Sequence, residues 1–445
     1  MDLPKEFLEK MKLFPSEVLP QYLDALQQPV FAGYRVNTLK ATPAEICDKL
    51  GGRVTPFSPF GFYLGENRAG LGRHALHHAG AIYIQEPSAM SAVTALAVQP
   101  GDRVLDLCAA PGGKSTQIAA ALQGEGVLLC NEFVGSRAKI LLSNIERMGV
   151  SNAVVTSAHP DVLCNALEEY FDKVLVDAPC SGEGMFRKEP TATLNWSVKN
   201  VEACAERQRK ILDSAAKAVR TGGLLAYSTC TFSPEENEGT VAAFLAAHPE
   251  FSLCPITEAF GRAAYPAFGN DDPQLALCRR VFPMDGGEGH FVALLQKAGV
   301  GAAADVNVKY DPAPQALVDF WEKSFVQPLP QQLRVVGKNV LMVTGLPHLQ
   351  GVHTLRDGLL LGEMVKNRFE PSHALFMCSS FTPRQYLDLQ PDDARMTAFL
   401  RGEQLDAPEL SSGYAGVRVC GIPCGFGKAS NGVLKNHYPK GLRLV

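Results

Sequence analysis

Residues 103–122 read RVLDLCAAPGGKSTQIAAAL, and this stretch decides the fold. A short apolar run leads directly into a Pro-Gly-Gly turn, and an amphipathic segment that we predict to be a helix begins at Ser115. The glycines let the backbone approach a ligand closely, and the free amides at the start of a helix favour polar or anionic groups. The stretch therefore predicts a strand, a ligand-binding turn and a helix.

Further apolar runs, each too short and too continuous for a half-exposed antiparallel strand, alternate with predicted helices. The predicted strands are VLLCNE (127–132), NAVVT (152–156), KVLVDA (173–178) and GLLAYST (223–229), and the predicted helices are 115–123, 135–149 and 201–223, the last ended by Gly222 and Gly223. This alternation is typical of a doubly wound, Rossmann-like α/β fold with a parallel sheet. HFVALLQ (290–296) is expected to add a final edge strand.

The chain of 445 residues is long enough for roughly three domains. We predict an N-terminal region at 1–75, the α/β core at 76–297 and a linker at 298–311, which contains the Gly/Ala-rich AGVGAAAD (298–305). A small α/β domain is expected at 312–385 and a compact β module at 386–445.

Composition excludes several classes of protein. The 42 Lys and Arg residues against 46 Asp and Glu give a net charge of −4, and 46% of residues are hydrophobic, so the chain is neither disordered nor an indiscriminate nucleic-acid binder. No run approaches the 18 to 20 apolar residues, roughly, that a membrane span needs. The N-terminus lacks a secretory signal and the twelve cysteines form no CxxC pair, which favours the cytosol and gives no metal site. His74, His77 and His78 are interpreted as surface histidines.

The turn after the first strand predicts a nucleotide or nucleoside cofactor. A P-loop requires glycine six residues before Lys114, where Cys108 stands, and the G-x-G-x-x-G fingerprint of dinucleotide-binding proteins is missing. Glu132, at the end of the second strand, is placed to accept hydrogen bonds from ribose hydroxyls.

Two thiols follow neighbouring strands and are expected to face one pocket. Cys180 lies in KVLVDAPCSGEGMFRK (173–188) with Asp177, and Cys230 lies in AYSTCTFSPEENE (226–238). Arg187 and Lys188 are candidates for gripping phosphate. A thiolate added to C6 of a pyrimidine makes C5 nucleophilic enough to accept a methyl group, and loss of the C5 proton then releases the enzyme. Asp177 is placed to stabilise the charge that develops. The residues alone leave open which cysteine attacks.

CAAPGGKS (108–115), DAPCSGEGM (177–185) and YSTCTFSPEENE (227–238) together resemble the Sun/Fmu family of RNA cytosine-C5 methyltransferases, which use S-adenosylmethionine. YRVNTLK (34–40) and IYIQEPSAM (82–90) are similar to the family's N-terminal motifs. The end, GFGKASNGVLKNHYPKGLRLV (425–445), resembles the PUA-like RNA-binding module of a bacterial branch, the F-type enzymes acting on small-subunit ribosomal RNA.

The resemblance assigns roles to individual residues. It implies that Cys230 attacks C6, that Cys180 acts in product release and that Asp177 lies near the methionine end of the cofactor and the cytosine. A family carboxylate near the adenine falls at His159, so either a ring nitrogen of His159 or Asp161 is expected there. The remaining cofactor contacts map to Glu132 and to the turn formed by Cys108, Ala109, Ala110, Pro111, Gly112, Gly113 and Lys114.

The implied substrate is 16S ribosomal RNA or the 30S subunit, bound by a monomer, with tRNA as the alternative. Two further alternatives are an inactive RNA-binding assembly factor and a thiol oxidoreductase, although the intact motifs and the lack of CxxC weigh against them. The N-terminal region is expected to bind RNA through Arg35 and Asn37, for which loop stabilisation is the other interpretation. The RNA contacts implied for the basic end are Lys428, Lys435, Lys440 and Arg443.

Overall fold

A computed structural model describes residues 3–65, 70–301, 308–347 and 349–444. The predicted linker falls partly at 302–307, outside the described residues. The N-terminal domain consists of short elements: α1 Lys5–Met11, α2 Val18–Ala25, β1 Gly33–Val36, α3 Pro43–Leu50, β2 Arg53–Thr55, β3 Ser58–Tyr63, α4 Ala75–His78 and β4 Ile82–Ile84. These strands pair in the order β2-β3-β1-β4. The boundary predicted at residue 75 is therefore too early, because β4 completes this sheet.

The core domain alternates strands and helices as predicted. Its elements are α5 Ser91–Leu96, β5 Arg103–Asp106, α6 Gly113–Leu122, β6 Val127–Asn131, α7 Gly135–Arg147, β7 Ala153–Ser157, α8 Pro160–Ala166, β8 Phe171–Asp177, α9 Pro190–Asn195, α10 Val198–Ala218, β9 Val219–Thr229, α11 Glu238–Ala247, β10 Phe251–Leu253, β11 Arg262–Ala263, β12 Arg279–Val281 and β13 His290–Lys297. All five residues of β6 are buried, as expected of a strand covered on both faces.

The parallel part of the core sheet has the order β9-β8-β5-β6-β7. The chain winds from β5 through β6 to β7 and then crosses back, so that β8 and β9 lie on the other side of β5. Ligands bind at such a reversal, outside the carboxyl ends of the strands. The predicted doubly wound fold is confirmed, and it places the residues after β5 and β8 at one crevice.

Two local predictions in the core are wrong. β13 is not an edge strand, because it pairs with β9 on one side and with β12 on the other. Gly222 and Gly223 do not end a helix: α10 ends at Ala218, and both glycines lie inside β9. A Cβ at Gly223 would lie 2.8 Å from the Asp172 carbonyl oxygen, next to a register shift between β8 and β9, so the glycine is needed for close strand approach.

The C-terminal third forms two small units. The middle unit contains α12 Gln315–Ser324, β14 Leu333–Val336, β15 Asn339–Met342, β16 His353–Asp357, β17 Leu359–Val365, β18 Arg368–Pro371 and α13 His373–Met377. The last unit, which covers the predicted PUA-like module, contains β19 Tyr386–Leu389, α14 Ala394–Arg401, β20 Leu405–Asp406, β21 Gly413–Val419, β22 Ile422–Ser430 and β23 Val433–Asn436.

Both small units are attached to the rest of the chain by packing. β16 pairs with β7 and so extends the core sheet, which the predicted division at 312–385 did not foresee. Residues of the N-terminal sheet and of the PUA-like domain share one buried cluster that includes Tyr34, Ile82, Phe399 and Tyr438. The two ends of the chain are therefore joined by a hydrophobic core. No helix in the described ranges is long and apolar enough to cross a membrane.

Candidate active site

The turn that follows β5 is held in place by side chains of α7. Gly112 has φ +112°, which favours glycine, and a Cβ there would lie 3.1 Å from Leu141 Cδ1. Asn144 Nδ2 donates to the Pro111 carbonyl oxygen at 2.8 Å, and Arg137 Nη2 donates to that of Ala110 at 3.0 Å. The helix begins at Gly113, two residues before the predicted start, so Lys114 lies in its first turn.

A cavity of about 530 Å³ opens at the carboxyl ends of β5, β6, β8 and β9. This volume is within the usual range for a small-molecule or cofactor site. Its walls contain five of the predicted cofactor residues and both predicted thiols: Cys108, Ala110, Glu132, His159, Asp177, Cys180 and Cys230. Ala109, Pro111, Gly112, Gly113 and Lys114 complete the turn beside the cavity.

Glu132 stands just beyond the end of β6 and is held in place. Its carboxylate accepts a hydrogen bond from the Val134 amide at 2.9 Å and lies 3.3 Å from Arg137 Nη1. Only 5% of Glu132 is exposed, although it lines the cavity. A buried, oriented acceptor at this place suits the hydroxyls of a ribose. Arg137 was missed by the sequence interpretation because its partner lies in a different element.

His159 forms the next part of the wall, after β7. Its Nδ1 accepts from the Asp161 amide at 3.3 Å, and its ring meets that of Phe133 edge to face at 5.7 Å. The Asp161 carboxylate lies 3.1 Å from Lys217 Nζ, and Asp161 is not among the lining residues of the cavity. The structure therefore favours His159 over Asp161 for a contact with an adenine.

Asp177 lies at the crevice and is held by two side chains. Its carboxylate accepts from Lys114 Nζ at 2.8 Å and from Ser228 Oγ at 2.8 Å. Burial raises the pKa of Asp177, but the charge of Lys114 and these hydrogen bonds outweigh it, and the pKa lies below its ordinary value. The group is thus a carboxylate at neutral pH, with a cation beside it. Ser228 was not singled out from the sequence, although it lies near the end of β9, two residues before Cys230.

The two thiols meet as predicted. Cys180 Sγ and Cys230 Sγ are 3.3 Å apart, both cysteines are half-buried, and all twelve cysteines of the chain are free. The hydrogen bond with Cys230 and burial raise the pKa of the Cys180 thiol well above its ordinary value. Cys180 is therefore a protonated thiol that can donate to Cys230, and it is poorly suited to attack.

Buried acids hold the two thiol-bearing loops together. Glu236 accepts from the Ser181 amide at 3.0 Å and from Gln208 Nε2 at 2.7 Å. Glu183 accepts from the Phe232 amide at 2.8 Å and from Ser233 Oγ at 2.7 Å. Glu183 belongs to the loop of Cys180 and binds Phe232 and Ser233, which follow Cys230 closely. Glu236 belongs to the loop of Cys230 and binds Ser181, the residue next to Cys180. These roles have no signal in the sequence beyond the clustered acids of PEENE.

Two residues of the N-terminal region that were predicted to touch RNA are buried instead. Arg35, 1% exposed, donates to the Gly113 carbonyl oxygen at 2.7 Å and to Thr116 Oγ1 at 2.7 Å, and it also contacts Gln85. Asn37, also 1% exposed, donates to the carbonyl oxygens of Gly80 and Met148. The alternative interpretation, loop stabilisation, is the one that this geometry supports.

Arg187 is likewise engaged inside the protein. Its guanidinium forms a two-pronged pair with Glu288, at 2.7 and 3.0 Å, and donates to the carbonyl oxygens of Ala25 and Gln28. Its side chain is only 5% exposed, so the expectation that it grips phosphate is wrong. It fastens the N-terminal helices to the core. Lys188, the next residue, is half-buried.

The predicted contacts in the last domain lie at the surface, with one exception. Lys428, Lys435 and Lys440 are exposed. Arg443 is half-buried, and its Nε and Nη2 each lie 3.4 Å from the Tyr438 carbonyl oxygen.

His74, His77 and His78 are not surface histidines, because all three are half-buried and burial lowers their pKa values. His78 Nδ1 lies 2.8 Å from the hydroxyl of Tyr438 in the PUA-like domain. Across the described residues, no cluster of three or more His, Cys, Asp or Glu could hold a metal ion.

Comparison with known families matches most of the chain. The matching family models are described as the N-terminal domain of 16S rRNA methyltransferase RsmF (residues 3–87), 16S rRNA methyltransferase RsmB/F (93–296), RsmF rRNA methyltransferase first C-terminal domain (319–378) and Methyltransferase RsmF PUA domain (386–444).

Individual relatives and solved structures agree with these models. A ribosomal RNA small subunit methyltransferase F of Vibrio cholerae is 33% identical over 99% of this chain and 98% of its own length. A protein of the same name from Escherichia coli O157:H7 is 40% identical over 66% of this chain and 63% of its own. The crystal structure of a methyltransferase homologue from Pyrococcus horikoshii superposes with a TM-score of 0.59 at 29% identity, covering 66% of this chain and 95% of that one.

Proposed function

Because the chain belongs to the RsmB/F family of 16S rRNA methyltransferases, we propose that it methylates C5 of cytidine in 16S ribosomal RNA through a covalent bond from Cys230 to C6 of the base. The family is dependent on S-adenosylmethionine. The observation that carries the proposal is the thiol pair, 3.3 Å apart and beside the ionised Asp177 at the switch point of the sheet.

The crevice has the groups that the cofactor needs. S-adenosylmethionine supplies the methyl group. The glycine turn gives close backbone approach, Glu132 is a buried acceptor for ribose hydroxyls, and His159 with Phe133 offers rings and a nitrogen for an adenine. Asp177 lies on the far side, where it suits the methionine end and the base. The proposed cofactor residues are Cys108, Ala109, Ala110, Pro111, Gly112, Gly113, Lys114, Glu132, His159 and Asp177.

Cys230, Cys180 and Asp177 divide the chemistry. The Cys230 thiolate adds to C6, and the electron pair of the C5–C6 double bond becomes available at C5. The new bond to the methyl carbon would form there as the bond from that carbon to the sulfonium sulfur breaks, with the thioether as the leaving group. Release requires loss of the C5 proton and breakage of the C6–sulfur bond, which returns the electron pair to Cys230. Asp177 accepts a hydrogen bond from the base, and the adjacent charge of Lys114 stabilises the negative charge that develops on the ring. Cys180 acts in the release step.

The PUA-like domain supplies the RNA-binding surface of this proposal. Lys428 and Lys435 stand directly opposite each other on β22 and β23, an arrangement that is unfavourable without a counter-charge. Lys428 Nζ lies 5.3 Å from the centre of the Tyr414 ring, at a groove of about 490 Å³ that Lys323 and Arg368 also line. Phosphates bound in this groove would neutralise Lys428, the member of the pair that lines it, and binding should weaken as salt is added. Lys440 and Arg443 extend the basic surface.

The substrate is proposed to be the 30S subunit or free 16S RNA, which places the enzyme in the cytoplasm, and the target cytidine must leave its stack to reach Cys230. One copy of the chain holds every proposed catalytic group, so we propose that a monomer is active.

Methyl transfer from labelled S-adenosylmethionine tests this function. Wild type, Cys230→Ala and Cys180→Ala would each be incubated with 30S subunits, free 16S RNA and tRNA. We expect label in 5-methylcytidine of ribosomal RNA with wild type, none with Cys230→Ala, and a trapped protein–RNA adduct with Cys180→Ala. Label on tRNA alone would mean that tRNA, and not ribosomal RNA, is the substrate. Cofactor binding without methyl transfer to any RNA would favour the alternative that the protein is an inactive assembly factor.

A further inference from the structure

His290 is a buried histidine at the catalytic edge that the proposed chemistry does not use. It begins β13, which runs antiparallel to β9, so it lies at the edge where β9 ends before Cys230. Its neighbour in the chain, Gly289, is packed so that a Cβ would lie 2.6 Å from the ring of Phe232. His290 itself is buried, with 3% of its surface exposed.

Neither ring nitrogen of His290 makes a hydrogen bond of good geometry among the described residues, and the backbone of the adjacent Gly289 gives only a weak polar contact that raises the pKa of the ring. A buried polar atom without a partner destabilises the folded state, and an apolar side chain at this position would avoid that loss. The rest of the strand, FVALLQ, is largely apolar, which makes the imidazole an exception. A poorly partnered buried nitrogen beside a substrate crevice indicates a partner that comes within hydrogen-bond reach when the substrate binds.

Three charged groups face the imidazole from separate elements. Asp177 Oδ1 lies 4.0 Å from Nε2, and Lys114 and Glu86 are also close enough to influence its charge. Burial, followed by the charge of Lys114, lowers the pKa of His290 to about 4, while Asp177 and Glu86 act in the opposite direction. The ring is therefore neutral at physiological pH, with one nitrogen that donates and one that accepts.

We propose that His290 is a positioning residue for Asp177, to which Nε2–H donates a hydrogen bond at Oδ1 once the target cytidine lies in the crevice. A movement of about 1 Å would bring the pair to a normal hydrogen-bond length. Ser228 and Lys114 already hold two sides of the carboxylate, and His290 closes the third. The inference rests on the proposed cytosine chemistry, because it concerns how the carboxylate is held against the base.

The consequence is a catalytic contribution without direct contact with the cofactor. A hydrogen bond to an ionised carboxylate that forms with the bound base should affect kcat more than the KM for S-adenosylmethionine. It also stabilises the charged form of Asp177, so its loss should raise the pKa of that carboxyl group. Packing alone would produce neither effect.

The experiment compares His290→Phe, which keeps a ring, with His290→Gln, whose amide nitrogen can replace Nε2 as a donor. We expect His290→Phe to lower kcat on saturating RNA by about ten- to a hundred-fold and to move the acid limb of kcat to higher pH. His290→Gln should recover most of kcat. Melting temperature and cofactor binding would be measured for each variant. His373→Phe is the matched control, because His373 also has a low pKa of about 4 and an unpartnered buried Nε2, in the middle unit away from the crevice.

Wild-type kcat and an unmoved acid limb in His290→Phe would overturn the proposal, as would a folded, cofactor-binding His290→Gln that is no better than His290→Phe. If His290→Phe fails to fold, His290→Asn takes its place, because its amide is too short to reach Oδ1; equal kcat for the Asn and Gln variants would then count against the proposal. Absence of 5-methylcytidine with wild type would overturn the proposed function instead.

Discussion

The buried cations of this chain and the exposed cations at its C-terminal end serve opposite purposes. Arg35 and Arg187 lie inside the protein. Both donate hydrogen bonds to carbonyl oxygens, and Arg187 also pairs with Glu288. Lys428 and Lys435 face solvent as a like-charged pair. A guanidinium can satisfy several acceptors in a fixed plane, whereas a lysine ammonium is a strongly hydrated point charge. A basic residue near a functional motif therefore indicates RNA contact only when its charge is left unpaired.

The largest expected effect on stability comes from removing the buried charge of Arg187. Arg187→Ala leaves Glu288 as a buried charge without its partner, and we expect the free energy of unfolding to fall by about 3 to 5 kcal/mol. Urea denaturation followed by circular dichroism would measure it. Lys210→Ala is the control, because Lys210 and Glu206 form an exposed pair one helical turn apart, where solvent screens the interaction between the two charges. Equal effects for the two variants would contradict the structural role given to Arg187.

A smaller effect is expected at Arg35, which joins the N-terminal domain to the cofactor turn. Arg35→Lys keeps the charge but cannot reach Gln85, Gly113 and Thr116 together, so it should cost about 1 to 3 kcal/mol of stability and weaken cofactor binding. Calorimetric titration with S-adenosylmethionine would show the latter. The salt dependence of RNA binding should not change. Weaker RNA binding with normal stability and normal cofactor affinity would return Arg35 to the RNA interface.

The exposed pair should show the reverse behaviour. Lys428→Ala and Lys435→Ala are each expected to leave the unfolding free energy within about 0.5 kcal/mol of wild type and to reduce the slope of log K against log salt by about 1. Filter binding of 16S RNA at several salt concentrations measures the slope. Lys139→Ala, at an exposed position on α7, is the control. Unchanged slopes in both PUA-like variants would remove the groove from the proposed RNA surface.

The same contrast explains how far the sequence could be interpreted. The active-site edge was predictable because the carboxyl ends of parallel strands must meet, so residues after β5, β8 and β9 converge whatever the side chains do. The partners of Arg35 and Arg187 were not, since they come from segments distant in sequence. β16 was not predicted, because its sequence, HTLRD, is largely polar and the strand is partly exposed. Its pairing with β7 depends on tertiary packing. Gly222 and Gly223 were misinterpreted because a glycine pair suits both a helix end and a strand irregularity.

The smallest effect at pH 7 is expected from a third kind of basic residue, the buried histidine. His373 has a pKa of about 4 in the folded protein because burial disfavours its charged form, whereas the unfolded chain binds its proton at about 6.5. Between these values the unfolded state binds more protons, so stability should rise with pH from about 4 to 6.5 and be unaffected above that window. Urea titrations of wild type and His373→Phe at pH 5 and pH 7.5 would test this. The difference in stability between the two pH values should be smaller in the variant, because it lacks the group that must stay uncharged to fold. Equal differences would mean that His373 is protonated in the folded protein, although the charge of Lys40 opposes that protonation.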